Sequence, residues 1–478
     1  MTGSEITAER PMRHISSWKV FGVFCLVVFL FLFGVVFIPW DVQAPNDADL
    51  QFKPLTLEAG KNAFTYLEAA GSMCVTKFPK AGEPDRDWTN LSDLIGSKSE
   101  EWDPAFADEV LAANESAFKE LEAGLACERY ASPQFKDVTI IHLSGLQKYK
   151  QLTQLLCLKS KRAQVSGDYA AAASSATQAF RLGQLVTDDA NLLIEWLVGI
   201  AYESIALARM NEIIADVKTS EPVLRDLLAQ LDRWNPKGIE RGYRQAMQEE
   251  YRFGKVTHEM LRHGNAAKIF DPNDPFRYWC RVPYCFKLNM TTRMMVPFYR
   301  NLIENADRVY AKTNFDYPGM LKYPSGTPDR VALYMSPNSA GKVMLLQLTP
   351  ALEKALTKKY LIQANVAGLR LKIALRLYEQ KHGQLPDDLK ALVSEFIKEV
   401  PIDSYDGQPF RYSKAERRVW AIGSDLVDNG GNMRDDTEMV DAVPSRKCDV
   451  GLRLETREMK PTPPPPPGSK PKEDETPF

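Results

Sequence analysis

The sequence predicts a single-pass membrane protein with a mainly α-helical exported domain and a small α+β domain at its C-terminal end. Three observations predict it: an uncharged run over residues 20–38, helical periodicity dominating 143–263 and 340–382, and two short strand-like segments at 408–413 and 418–422. Residues 1–19 form a cytoplasmic N-terminus and 20–40 the transmembrane helix. The helical exported domain covers 41–340, the α+β domain 341–455, and a Pro-rich tail 456–478.

The run VFGVFCLVVFLFLFGVVFI holds no charge. As a helix it spans about 28 Å, close to the ~30 Å hydrocarbon core of a bilayer. Trp18 and Trp40 flank it, where amphipathic rings prefer the headgroup region. Arg10, Arg13 and Lys19 precede it, whereas Asp41, Asp47 and Asp49 follow. The positive-inside rule therefore keeps the N-terminus in the cytoplasm and places the body outside the inner membrane, with lipid as the partner of residues 20–40. A cleaved signal peptide is the competing reading. Its apolar stretch is shorter, about 7–15 residues, and Pro45 directly after Val42-Gln43-Ala44 disfavours cleavage.

Hydrophobic residues make up 44% of the chain and charged residues 26%, ordinary globular values that predict a folded middle. Net charge is -2 with Lys and Arg scattered, which sets nucleic acid aside as a partner. Cys25 lies in the apolar run. Cys74, Cys127, Cys157, Cys280, Cys285 and Cys448 lie beyond it, an even number that fits an oxidising compartment and up to three disulfides. Cys280 and Cys285 enclose a short loop, the favoured local bridge.

Pro45 and Pro54 predict an extended segment over 41–56, followed by a short amphipathic helix at 57–70. Residues 71–105 are rich in Gly, Pro, Asp and Ser and predict loop, and helix returns at 106–126. Within 143–263 one helix ends near Gly167 and Asp168 caps the next, which is rich in Ala. A third follows through Ile194, Leu197, Ile200, Ala201, Ile205 and Ala208. The Gly-Asp-Tyr turn is similar to one tetratricopeptide-type hairpin, but no recurrence near 34 residues accompanies it. Pro and aromatic residues over 264–340 predict irregular structure with a few short helices. A long helix over 340–382 carries the stripe Ile362, Val366, Leu369, Ile373 and Leu377, and Gly383 with Pro386 stops it. A shorter helix through Leu389, Leu392, Val393 and Phe396 precedes the hairpin of 408–422. The tail KPTPPPPPGSKPKEDETPF predicts disorder or polyproline II.

Tyr378, Gly383 and Pro386, then Asp403, Tyr405, Gly407, Pro409, Phe410 and Tyr412, then Gly423, Asp425, Gly430 and Gly431 recur in an ordered set of turn positions. In this region, 345–455, the chain resembles the head domain of the major pseudopilin of type II secretion. The resemblance implies a pseudopilin-like α+β domain. The apolar run SSWKVFGVF lacks the peptidase site of pilin-like subunits. Lys342, Glu353, Lys354, Lys358 and Lys359 occupy the stretch that those subunits place in lipid. The layout as a whole also resembles uncharacterised membrane-anchored proteins of planctomycete and verrucomicrobial bacteria, which implies no activity.

The pseudopilin resemblance implies a calcium ion in the loop GSDLVDNGGNMRDD, with Asp425, Asp428, Asp435 and Asp436 as oxygen ligands. An acidic, solvated turn whose glycines serve only the backbone explains the same residues equally well. His258 and His263 miss the HExxH spacing by one residue, and five helical steps set their imidazoles about 140° apart, too far for one metal. Motifs for nucleotide binding or a serine nucleophile are absent from the sequence. These observations predict a non-enzymatic envelope protein that binds another protein or acts as a scaffold. The alternatives are a membrane-bound hydrolase with a carboxylate site and an accessory of a secretion or pilus-like assembly.

Overall fold

In the computed structural model, residues 17–38, 40–58, 60–80, 83–86, 95, 102–133, 144–263, 274, 276–315, 327–432 and 449–454 are described. Helix α1 covers Ser17–Phe37, and its side chains from Phe21 to Phe33 are exposed all round. Among the described residues no helix is long and apolar enough to cross a membrane. The single-pass fold class is therefore corrected: the protein is mostly helical, with a small three-stranded sheet.

The first layer of the body contains α2 (Ala63–Met73), a short antiparallel pair β1 (Phe78–Lys80) and β2 (Glu83–Arg86), then α3 (Pro104–Ala113) and α4 (Glu115–Leu125). The helix expected over 106–126 is two helices. Buried Asn114 breaks it by accepting a hydrogen bond from Val75 N at 2.9 Å and donating to Val110 O at 2.9 Å.

Helices α5 (Ser144–Val165), α6 (Tyr169–Asp188) and α7 (Leu193–Ala215) form the centre. Gly167 takes a left-handed φ of +88° between α5 and α6, a conformation that costs glycine little. Asp168 then accepts from Ala171 N at 2.9 Å, the expected cap. Ala172, Ala173, Ala176 and Ala179 are buried, and their small size brings α6 close to its neighbours. Helix α8 (Glu221–Asp232) follows, then α9 (Pro236–Arg262), capped by Asn235. The closest approach is at Gly242 of α9, where a Cβ would stand 1.8 Å from Thr187 O.

Residues 276–315 are more regular than expected. A single turn, α10 (Phe276–Trp279), leads to α11 (Leu288–Asn305), which keeps its course through Pro297 and buries Met295, Phe298, Tyr299 and Leu302. Helix α12 (Thr327–Met335) precedes α13 (Ser339–His382), 44 residues long. The predicted stripe of α13, Ile362 to Leu377, is fully buried, and Gly383 closes the helix with φ +73°. The segment at 389–396 contains only a 3₁₀ turn, Leu389–Leu392.

Strands β3 (Arg411–Ser413), β4 (Arg418–Ala421) and β5 (Val450–Arg453) form an antiparallel sheet in that order, with Tyr412 opposite Val419 and Val419 opposite Leu452. The sheet lies on α13, where Leu452 Cδ1 would be 3.1 Å from a Cβ at Gly368. One hydrophobic core runs from Leu50 to Leu454. Two buried lysines also tie α13 to the helical body. Lys372 Nζ donates to Asn211 Oδ1 at 2.6 Å, and Lys359 Nζ donates to Ala306 O.

Candidate functional site

The chain leaves α1 through a strap, residues 40–50, extended as far as Asp47 and closed by a 3₁₀ turn, Ala48–Leu50, and it runs along α11 in the same direction. Asp41 accepts from Asn289 N at 2.8 Å and Met290 N at 3.2 Å, so its carboxylate caps the N-terminus of α11. Val42 O accepts from Asn289 Nδ2 at 2.7 Å and Gln43 O from Arg293 Nε at 3.1 Å. Further on, Arg300 forms two bonds to Asp49, at 2.6 and 2.8 Å. Asp47 accepts from Tyr251 and Lys255 of α9 at 2.7 and 2.8 Å. Burial opposes ionisation of Asp47, yet those two donors hold its carboxyl below the usual range. Leu50 then enters the core. The chain that follows α1 is thus held on the body at several points between Trp40 and Leu50.

A cavity of about 230 Å³ opens where the strap begins. Trp40, Asp41, Arg262, Arg281 and Lys287 line it, above Cys280 and Phe286. Lys287 is 2% exposed, and its ammonium lies 3.5 Å from the centroid of the Trp40 ring. Burial pushes its pKa down, and nearby Asp41 partly restores it. Arg262 and Arg281 are exposed at the rim. A larger cleft of about 490 Å³ at the far end of the strap holds Arg241, Arg244 and Arg300. Those three are paired with Asp189, Asp307 and Asp49.

No protein-family model matches the chain, and no curated protein or solved structure is significantly similar to it. The likeness of 345–455 to the pseudopilin head therefore rests on its turn residues alone.

Of the four aspartates expected to ligate calcium, Asp435 and Asp436 lie outside the described residues. Asp428 accepts from Trp420 Nε1 at 3.0 Å and Gly430 N at 2.9 Å, and Arg411 Nε is 3.5 Å away. Asp425 accepts from Val427 N at 3.3 Å, and its other oxygen is buried without a hydrogen bond. Asp449, which sequence reading missed, accepts from Asn429 N and Gly431 N at 3.2 and 2.7 Å. Among the described residues no group of three or more His, Cys, Asp or Glu is placed to hold a metal.

The six described cysteines are free thiols, so the Cys280–Cys285 bridge is not formed; Cys448 lies outside the described residues. Burial among Leu261, Phe286 and Ala340 pushes the Cys280 thiol up to about 12. His258 is packed near Phe286, and burial lowers its pKa to about 4, while His263 is exposed.

A layer of buried acids crosses the helical body. Asp189, at the end of α6, takes a bidentate pair from Arg129 at 2.7 and 2.8 Å. Glu203 is 1% exposed and accepts from Trp234 Nε1 at 3.2 Å; burial, aided by Asp188, pushes it up to about 8. Burial also raises Asp188 to about 7, against the pull of Arg241. Asp188 lines a cleft of about 450 Å³ with Arg181 and Arg233.

Proposed function

We propose that this chain is a non-enzymatic envelope scaffold, held at a lipid surface through α1 and presenting its helical body to a protein partner. The strap carries the reading, because it anchors the chain to the folded body directly after an uncovered apolar helix. Phe24 and Phe29 are 63% and 62% exposed, and an apolar surface of this kind is a binding surface. Apolar on every described face, α1 offers no polar side to water, which favours acyl chains over a protein groove that covers one stripe.

Flotation of the full chain with neutral phosphatidylcholine vesicles tests the lipid contact. The wild type is expected to float, and F24D/L30D to stay in the dense fractions with an unchanged helical circular dichroism. Wild-type protein that remains dense without detergent removes the reading.

A second reading, a carboxylate hydrolase, has one observation in its favour: Asp188 is poised to titrate near neutrality in an arginine-lined cleft. It requires turnover of an ester or glycoside chromogen that D188N loses; equal turnover by D188N disposes of it.

A further inference from the structure

The cavity at the base of α1 has an excess of positive charge at the level where the apolar helix ends. Arg262, Arg281 and Lys287 face one carboxylate, Asp41, and that carboxylate is already committed to the two N–H groups of α11. Neither Arg262 nor Arg281 has an ion pair among the described residues, unlike the three arginines of the larger cleft, whose charges are matched. Lys287 uses one donor on Trp40 O at 2.6 Å, and an ammonium carries three. A planar guanidinium can donate two N–H bonds to two oxygens of a phosphate, and an indole beside it suits the interfacial zone of a bilayer.

We propose that this pocket binds the phosphate of an anionic phospholipid, so that Arg262, Arg281 and Lys287 read the headgroup while α1 engages the acyl chains. The inference rests on the lipid-surface reading above and adds to it a selectivity for anionic lipid. A small cavity suits it, because only the phosphate and its nearest atoms need to enter. The strap matters here as well: it fixes Trp40 and Asp41 against Lys287 and the start of α11, so two of the residues lining the pocket follow α1 closely in the chain.

Quantitative vesicle binding by the full chain separates the inference from the reading beneath it. Vesicles of phosphatidylcholine alone are compared with vesicles containing phosphatidylglycerol. Each basic residue near an anionic surface is worth roughly fivefold in binding, so the wild type should prefer the anionic vesicles by about tenfold or more. The R262Q/R281Q variant should lose most of that preference and keep its binding to neutral vesicles. K218Q/K398Q removes two exposed cations outside the pocket, and should keep the preference.

Equal binding to both vesicles by the wild type, or equal losses in the two double variants, overturns the pocket and leaves the lipid reading intact. Failure of the wild type to bind either vesicle overturns both. Inorganic phosphate at matched ionic strength gives the last arm. Displacement to the neutral-vesicle level would make free phosphate the ligand and refute the lipid assignment, whereas retained anionic preference upholds it.

Discussion

The Lys287 ammonium donates to the Trp40 carbonyl at 2.6 Å while lying 3.5 Å from the centroid of the Trp40 ring. The two residues are 247 positions apart, and their contact holds the first residue of the strap. Lys287→Met leaves the carbonyl without its donor and the ring without its cation, a local cost of about 1–3 kcal/mol. Amide hydrogen exchange should therefore quicken over residues 40–43, with exchange in α6 unchanged. Exchange at the wild-type rate in the strap would show that the contact contributes nothing.

Gly242 lets α9 pass within backbone contact of the C-terminal end of α6. A Cβ there would stand 1.8 Å from Thr187 O, a backbone atom that cannot turn aside. Gly242→Ala should lose about 3 kcal/mol or more, because one of the two helices must shift. At Gly254 on the same helix, the nearest atom to a Cβ is Met295 Cε at 2.8 Å, the end of a flexible side chain. Gly254→Ala should change stability by no more than about 1 kcal/mol, helped by the gain in helix propensity. Urea midpoints of the two variants make the comparison; similar losses would mean that the α6–α9 contact is not the tight one.

What could be read in advance was local. The Gly167-Asp168 turn, the stripe from Ile362 to Leu377 and the hairpin of Tyr412 with Val419 each depend on residues a few positions apart. Helix α11 was hidden by Pro297 and its aromatic surroundings, yet burial of Phe298, Tyr299 and Leu302 outweighs the broken hydrogen bond. Pro45 and Pro54 made the extended course of the strap legible, but not its docking on α11 or the pocket. Asp41 meets Asn289, 248 positions on, and nothing in the spacing of Trp40, Arg262 and Lys287 brings them together. The expected disulfides followed from the exported compartment rather than from any geometry, and the free thiols of Cys280 and Cys285 correct them. In the acidic loop, Asp425 and Asp428 were visible as a pair of charges, but the commitment of Asp428 to Trp420 and Arg411 depends on the sheet beneath it.

Glu203 makes stability depend on pH. Burial, with Asp188 adding to it, raises this carboxyl from its ordinary 4.5 to about 8 in the folded chain. Between those values the folded state holds a proton that the unfolded state has released, so stability falls as pH rises. The contribution is complete below about pH 4.5 and has been lost by about pH 8, at no more than roughly 1.4 kcal/mol per pH unit. Glu203→Gln keeps an acceptor for Trp234 and removes the titration. The variant should be the more stable protein at pH 8, and its urea midpoint should vary less than that of the wild type between pH 5 and 8. Parallel pH profiles would place the Glu203 pKa near its ordinary value.

Asp403 organises the turn before β3 in the C-terminal region. Its side chain accepts from Tyr405 N and Ile422 N, each at 2.8 Å, and pairs with Arg411. It thereby ties the turn before β3 to the end of β4 from a fully buried position. Burial raises its pKa to about 6, even with the Tyr405 and Ile422 donors and the Arg411 charge favouring the ionised form. Asp403→Asn cannot accept all of these bonds, and it weakens the pairing of Arg411, which keeps Asp406. A loss of about 2–4 kcal/mol is expected, since one partner of a buried charged pair is removed. Thermal unfolding with Asp406→Asn as the comparison tests the assignment. Asp406 is half-buried, and its loss should cost less. An equal or smaller loss for Asp403→Asn would show that Arg411, rather than the buried carboxylate, organises the turn.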